Sequence, residues 1–237
     1  MQRYFSNKIE NKFILSSDDS YHISKVMRMS IGDSIEIVDN DKCFLCKIIE
    51  LNNNVVAEVV KEINEDRKLS IDVTLVQSLV KEQKMDFILQ KTTELGINRI
   101  IPLAVERSVI KINDKKDKKI DRWNKIVKEA SEQSKRLDIP VVEDIISINE
   151  LCKITGYDYK FLCTVRENTK NIKNILSNVK SNDRILFVVG PEGGFTTQEE
   201  DKLIENGFIT VSLGNTVLRT ETAGLFIMSV INYHNMR

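Results

Sequence analysis

The chain has 237 residues, and its 35 basic and 35 acidic side chains cancel, so no global field advertises a polyanionic partner. A hydrophobic share of 41% with 30% charged residues is that of a globular protein with a proper core, and excludes a disordered tail or a low-complexity array. No apolar run approaches the ~18 residues a membrane-spanning helix needs, and the first ten residues, M-Q-R-Y-F-S-N-K-I-E, hold no apolar signal core, so a cytoplasmic protein without a membrane partner is expected.

Residues 1–68 read as β-rich. S-S-D-D-S is a capping cluster, and it opens a short helix predicted over Ser17–Met29. On that helix Ile23, Val26 and Met27 supply an apolar side, while His22, Lys25 and Arg28 follow near-helical spacing. I-E-I-V-D, C-F-L-C-K-I-I-E-L and V-V-A-E-V-V-K-E-I read as strands joined by turn-like D-N-D-K and N-N-N. Several short strands and one helix predict a small barrel. Cys43 and Cys46 form a C-x-x-C, but neither histidine completes a zinc set, and both cysteines lie in a strand pattern, so they are expected in the core and no metal is expected. The charged stretch 61–70 marks the domain boundary.

From Ile71 the pattern changes to strand alternating with helix, which predicts a parallel α/β sheet covered on both faces over 71–237. I-D-V-T-L-V-Q-S-L-V is a strand, and K-E-Q-K-M-D-F-I-L-Q-K-T-T-E-L-G an amphipathic helix capped by Gly96. A strand at R-I-I-P-L-A-V follows, then a long helix through Trp123 to Leu137, a strand near Val141–Ile145 and a short helix at I-N-E-L-C. Y-K-F-L-C-T-V is the next strand, N-I-K-N-I-L-S-N-V the next helix. Between Lys111 and Lys128 eight basic residues face three acids. Lys115, Lys116, Lys118, Lys119 and Arg122 are its phosphate-contact candidates, against the alternative of a solvated helix face.

The densest chemistry lies in I-L-F-V-V-G-P-E-G-G-F-T at 185–196 and V-S-L-G-N-T-V-L-R-T-E-T-A at 211–223. Each is a β-branched run that stops at glycine and enters a helix. Ligands bind at the carboxyl ends of parallel strands, so the two loops predict one small-molecule pocket. Neither loop holds G-K-S/T or G-x-G-x-x-G, which removes the phosphate-cradling and dinucleotide readings. What remains is a pocket of backbone amides and apolar side chains, with Glu192, Arg219 and Glu221 as its charged groups.

Five segments in this order resemble the ribosomal small subunit methyltransferase E family, SPOUT-type enzymes that methylate N3 of a uridine in 16S rRNA. They are H-I-S-K-V-M-R at 22–28, Q-K-T-T-E-L-G at 90–96, E-A-S-E-Q-S-K-R with I-P after it at 129–140, G-P-E-G-G at 190–194 and L-G-N-T-V-L-R-T-E-T-A at 213–223. The resemblance implies an α/β SPOUT sheet with a C-terminal trefoil knot, preceded by a PUA-like β-barrel that helps hold RNA, with Arg28, Lys25 and His22 as candidate RNA contacts. It also implies S-adenosylmethionine as cofactor, the small subunit's 16S rRNA as partner, and a homodimer. It assigns Gly190, Glu192, Gly193, Gly194, Leu213, Gly214, Val217 and Leu218 to the cofactor, with Thr164, Val165 and Arg166 as a third loop. Uracil N3–H is a weak acid, so a cation would stabilise the developing anion. Arg219 is the first candidate and Arg136 the second. Glu221 or Glu192 would act as base or orient Arg219, and Glu221 alternatively only stabilises a helix N-terminus. Two rivals stand beside this reading: a SPOUT enzyme with another RNA target, and a non-catalytic RNA-binding module.

Overall fold

A computed structural model describes residues 1–108, 116–166 and 169–235. The chain forms two units: Met1–Lys68 with Ser131–Ile139, and Leu69–Ala130 with Pro140–Arg237.

The first unit holds β1 (Arg3–Phe5), β2 (Lys8–Ile9), β3 (Lys12–Ile14), α1 (Ser17–Tyr21), β4 (Ser34–Asp39), β5 (Lys42–Leu51) and β6 (Val55–Ile63). They make one six-stranded sheet in the order β1-β4-β5-β6-β3-β2, antiparallel except for β1 against β4. Its core includes Tyr4, Phe13, Leu15, Ile23, Ile37 and Ile48. The register of β5 against β6 shifts between Leu45 and Cys46. The extra residue is Val60 of β6, so β5 keeps its alternation: Phe44, Cys46 and Ile48 point into this core, and Cys43 is buried on the other face against Val38 and Leu137. Both thiols are free, and burial pushes Cys43 up to about 11 and Cys46 up to about 12. Buried Arg3 binds Glu36 and Glu65 and donates to the carbonyls of Lys135 and Arg136, which fastens Ser131–Ile139 to this unit. The predicted helix is shorter than the capping pattern suggests. α1 passes into one π-turn at His22–Val26, and Arg28 sits at φ +52°.

The second unit holds β7 (Asp72–Ser78), α2 (Glu82–Glu94), β8 (Arg99–Ala104), α3 (Lys116–Gln133, its last turn counted with the first unit), β9 (Val141–Val142), β10 (Ile146–Ser147) and α4 (Ile148–Leu151). β11 (Tyr159–Cys163), β12 (Lys170–Asn171), α5 (Ile172–Leu176), β13 (Arg184–Val189), α6 (Thr197–Glu205), β14 (Ile209–Ser212) and α7 (Thr220–His234) complete it. Every strand pairing is parallel, in the order β10-β8-β7-β13-β11-β14-β12, with β9 beside β8. The central strands read as unbroken apolar runs because both faces are covered: five of the six residues of β13 are buried. Gly224 lets α7 pack closely on β7, since a Cβ there would lie 3.3 Å from the Leu75 side chain.

Candidate active site

Strands β13, β11 and β14 are consecutive in the sheet and parallel, so their C-terminal loops emerge together at one edge. The sequence pairs the first and last of these loops directly, whereas the sheet inserts β11 between them. After β13 the chain makes a tight turn, closed by the Gly194 amide donating to the Pro191 carbonyl at 2.9 Å, with Gly194 at φ +65°. Arg107 donates to the Gly193 carbonyl at 3.0 Å. Thr196 then caps α6 in a reciprocal box with Glu199, which fixes where the loop ends. Phe195 is buried beneath the loop, and its ring lies 3.0 Å from where a Gly190 Cβ would stand, so only glycine fits at 190 without displacing it. After β14, Gly214 adopts φ +139°, and no atom lies within 4 Å of a Cβ built at 194 or 214. These backbones are therefore open to close approach by a ligand. Leu213 and Leu218 are half-buried, and Val217 is exposed.

The third loop is more occupied than its sequence suggests. Thr164 donates to Glu200 at 2.7 Å, and Arg166 binds Glu200, Asp201 and the Thr197 carbonyl, all on α6. The Asp201 bond leads the causes that hold the Arg166 guanidinium above its usual range. Val165 between them is exposed.

Two links, neither read from the sequence, tie the loops to β7 and α2: the first is buried and the second partly exposed. The Thr220 hydroxyl, at the start of α7, donates to the Gly190 carbonyl at 2.7 Å and accepts from the Gln77 amide at 2.9 Å. Gln77 and Ser78, at the carboxyl end of β7, are fully buried, yet Gln77 Oε1 and Ser78 Oγ have no hydrogen-bond partner among the described residues. Orphaned polar atoms in a core are rare, and these two lie at the end of the strand beside the G-P-E-G-G loop. The second link is Lys84 of α2. Its ammonium lies 3.0 Å from Glu192 and 3.2 Å from Glu221, bridging the G-P-E-G-G loop and the first turn of α7. Those two carboxylates hold Lys84 above its ordinary range. For Glu192, burial pushes upward, but its own backbone amide and Lys84 outweigh it and hold the carboxyl below the usual value. The only sequence signal for Lys84 is its position one turn into α2, and nothing in its neighbours distinguishes it from a solvated lysine.

Arg219 is the N-cap residue of α7; its side chain is exposed, with no cap bond, and makes no ion pair among the described residues. Glu221 stands in the first turn of α7, as a helix N-terminus favours, and also takes part in the Lys84 bridge. Arg136 is buried in the first unit, with its guanidinium on Asp138 at 3.0 Å. His22 is bonded through Nδ1 to the Tyr4 hydroxyl at 3.0 Å and packs edge-on to that ring, which is a structural role. Lys25 and Arg28 are exposed. In the basic cluster Arg122 is taken by Glu82 and Asp86, and Lys116 lies 3.7 Å from Asp144. Lys118 is exposed and Lys119 half-buried, and neither makes an ion pair among the described residues. Lys111 and Lys115 lie outside the described residues.

Comparison with known proteins gives matches that cover both units. The family model for an RNA methyltransferase domain matches residues 67–232, and that for an RNA methyltransferase PUA domain matches 15–60. The ribosomal RNA small subunit methyltransferase E of Bacillus subtilis is 38% identical over 98% of this chain and 96% of its own. The crystal structure of the same-named enzyme from Neisseria gonorrhoeae, bound to S-adenosyl methionine, is 31% identical with a TM-score of 0.88, covering 98% of this chain and 97% of that one. A Legionella pneumophila methyltransferase in complex with SAM has a TM-score of 0.90 at 26% identity, covering 98% and 97%. The chain belongs to the ribosomal RNA small subunit methyltransferase E family.

Proposed function

We propose that this protein transfers a methyl group from S-adenosylmethionine to N3 of a uridine in 16S rRNA of the small ribosomal subunit. In this reading it works as a homodimer with a C-terminal trefoil knot, its residues 1–68 forming an RNA-holding PUA-like domain ahead of a SPOUT domain at 71–237. The observation that carries the reading is the meeting of three strand-end loops at one sheet edge, two of them with open glycine backbones, backed by buried polar atoms without partners. That donor set fits the cofactor. Gly194 and Gly214 leave backbone open to an adenine edge, Gly190 and Gly193 shape the loop that carries Gly194, and Leu213, Val217 and Leu218, with Thr164 and Val165 from the third loop, flank the site.

Bound S-adenosylmethionine supplies an electrophilic methyl group, and no metal is called for. The chain has to orient N3 of the base and help it lose its proton. Arg219, exposed at the N-cap of α7, is the cation available to the developing uracil anion; the free amides of that helix N-terminus add to it. Glu192 is a poor base, because its carboxyl is held low. It and Glu221 instead border the site from two loops. The test is methyl transfer from labelled S-adenosylmethionine to small subunits that lack the modification, followed by mapping of the label. Label on a uridine N3 of 16S rRNA supports the assignment. Label on another base or a ribose moves it to a different RNA target, and binding of RNA without S-adenosylmethionine leaves an RNA-binding module.

A further inference from the structure

We infer that Lys84 is the positioning residue of the cofactor site: by bridging Glu192 and Glu221 it holds the G-P-E-G-G loop and the start of α7 at the spacing the ligand needs. The geometry is specific. One ammonium sits 3.0 Å from Glu192 and 3.2 Å from Glu221, and these carboxylates come from segments nearly thirty residues apart in sequence. The Thr220 hydroxyl makes a comparable link, between Gly190 and α7. Thr220 joins the backbones at the base of the loops; Lys84 joins the side chains at their tips.

Without the ammonium, two carboxylates would face each other across a partly buried gap. Like charges in one site disfavour joint ionisation, so one carboxyl takes up a proton or the two segments move apart. The other charges around the pair do not replace Lys84. Lys81, at the N-cap of α2, acts on Glu192 only through space. Arg107 is committed to the Gly193 and Phe195 carbonyls. Arg219 precedes α7 and makes no ion pair among the described residues. Glu82 and Asp86, elsewhere on α2, are bound to Arg122.

This inference rests on the proposal that the site takes S-adenosylmethionine, and its test separates the two. In ligand-free protein, carboxyl carbons of Glu192 and Glu221 are titrated by NMR in wild type, Lys84→Met and the double variant Lys84→Met with Glu221→Gln. Lys84→Met should raise the Glu192 midpoint above its wild-type position, and Glu221→Gln should bring it back down. An unmoved Glu192 midpoint in Lys84→Met overturns the bridge, whatever the cofactor. Calorimetry with S-adenosylmethionine then reads the consequence. Lys84→Met should weaken binding on the order of ten- to a hundred-fold at mildly alkaline pH, the loss expected for one charge-assisted hydrogen bond. Binding should recover as pH falls and one carboxyl is protonated. The wild type should stay flat in that window, and Glu221→Gln should restore much of the affinity and remove the pH dependence. A lysine that merely fills space would give a pH-independent loss with no rescue by Glu221→Gln, and that result overturns the positioning role. The acceptor RNA does not enter either assay, so a different methylated base leaves the outcome unchanged.

Discussion

Thr220→Val is the sharpest test of how the loops are held. Valine keeps the shape of threonine but removes the hydroxyl that donates to the Gly190 carbonyl at 2.7 Å and accepts from Gln77 at 2.9 Å. Thr220 is 5% exposed and Gln77 0%, so water cannot take over either bond at no cost. One Gln77 amide bond survives, to the Ser78 carbonyl at 3.1 Å. Each buried polar group left without a partner costs about 1–3 kcal/mol, so the pair comes to roughly 2–6 kcal/mol. At about 2–4 °C per kcal/mol for a domain of this size, the melting temperature should fall by about 4–24 °C. Thr220→Ser keeps the hydroxyl and loses one methyl, for about 1 kcal/mol. Differential scanning calorimetry of the two variants beside wild type separates the effects. If Thr220→Val melts with or above Thr220→Ser, the hydroxyl bridge does not hold Gly190, and the account of the loop base is wrong.

Arg219→Ala should leave S-adenosylmethionine affinity within a few-fold and lower single-turnover methyl transfer by about two orders of magnitude or more, the loss of one preorganised stabilising group; a near-normal rate at saturating RNA would remove Arg219 from the chemistry. Ser78→Ala should raise the melting temperature or leave it unchanged, because it deletes a buried hydroxyl with no partner among the described residues, and should weaken S-adenosylmethionine binding if that hydroxyl serves the ligand. A lower melting temperature with unchanged affinity would assign Ser78 to packing alone. Replacing Lys118 and Lys119 together with Gln should flatten the slope of log RNA affinity against log salt by about 1.4, from roughly 0.7 per phosphate contact on a single strand; an unchanged slope would make this stretch of α3 a solvated face.

The long elements were legible because their patterns are long. β13, α2 and α7 carry enough apolar positions to show their period, and the second half of the chain reads as strand alternating with helix, as it folds. β2, β10 and β12 have two residues each, and β1 and β3 three, too few for any alternation to register, while the strand expected near 141–145 forms only as the two residues of β9. Both Cys43 and Cys46 are buried, as expected, but they face opposite ways, and the cover over Cys43 comes partly from Leu137, far along the chain, which leaves no mark in β5 itself. The capping run at Ser16–Ser20 announced a helix start, but the π-turn that follows belongs to the packing of Ile23 into the core. For the site, glycines at strand ends are local signals, so the loops at 190–194 and 213–218 could be read. His22 could not be assigned, because its bond to Tyr4 closes over eighteen residues and only the fold shows it.

The support of the site illustrates the same division more sharply. Gln77, Thr220 and Lys84 lie in an apolar strand, a helix start and a charged helix turn, each ordinary in its own segment. Their roles arise because β7 is paired with β13, so that the carboxyl end of one strand lies beside the loop of the next. A loop with open glycines is entropically costly to order, and glycine gives up more freedom on folding than any other residue. The residues that limit that freedom must be rigid, and strands and helices supply rigid residues. Gln77 is fixed in the centre of an eight-stranded sheet, and Lys84 lies on a helix whose buried side carries Met85, Ile88 and Leu89. The flexible chemistry is therefore carried on the C-terminal loops, and its precision comes from β7 and α2, which the sequence marks only as core and as surface.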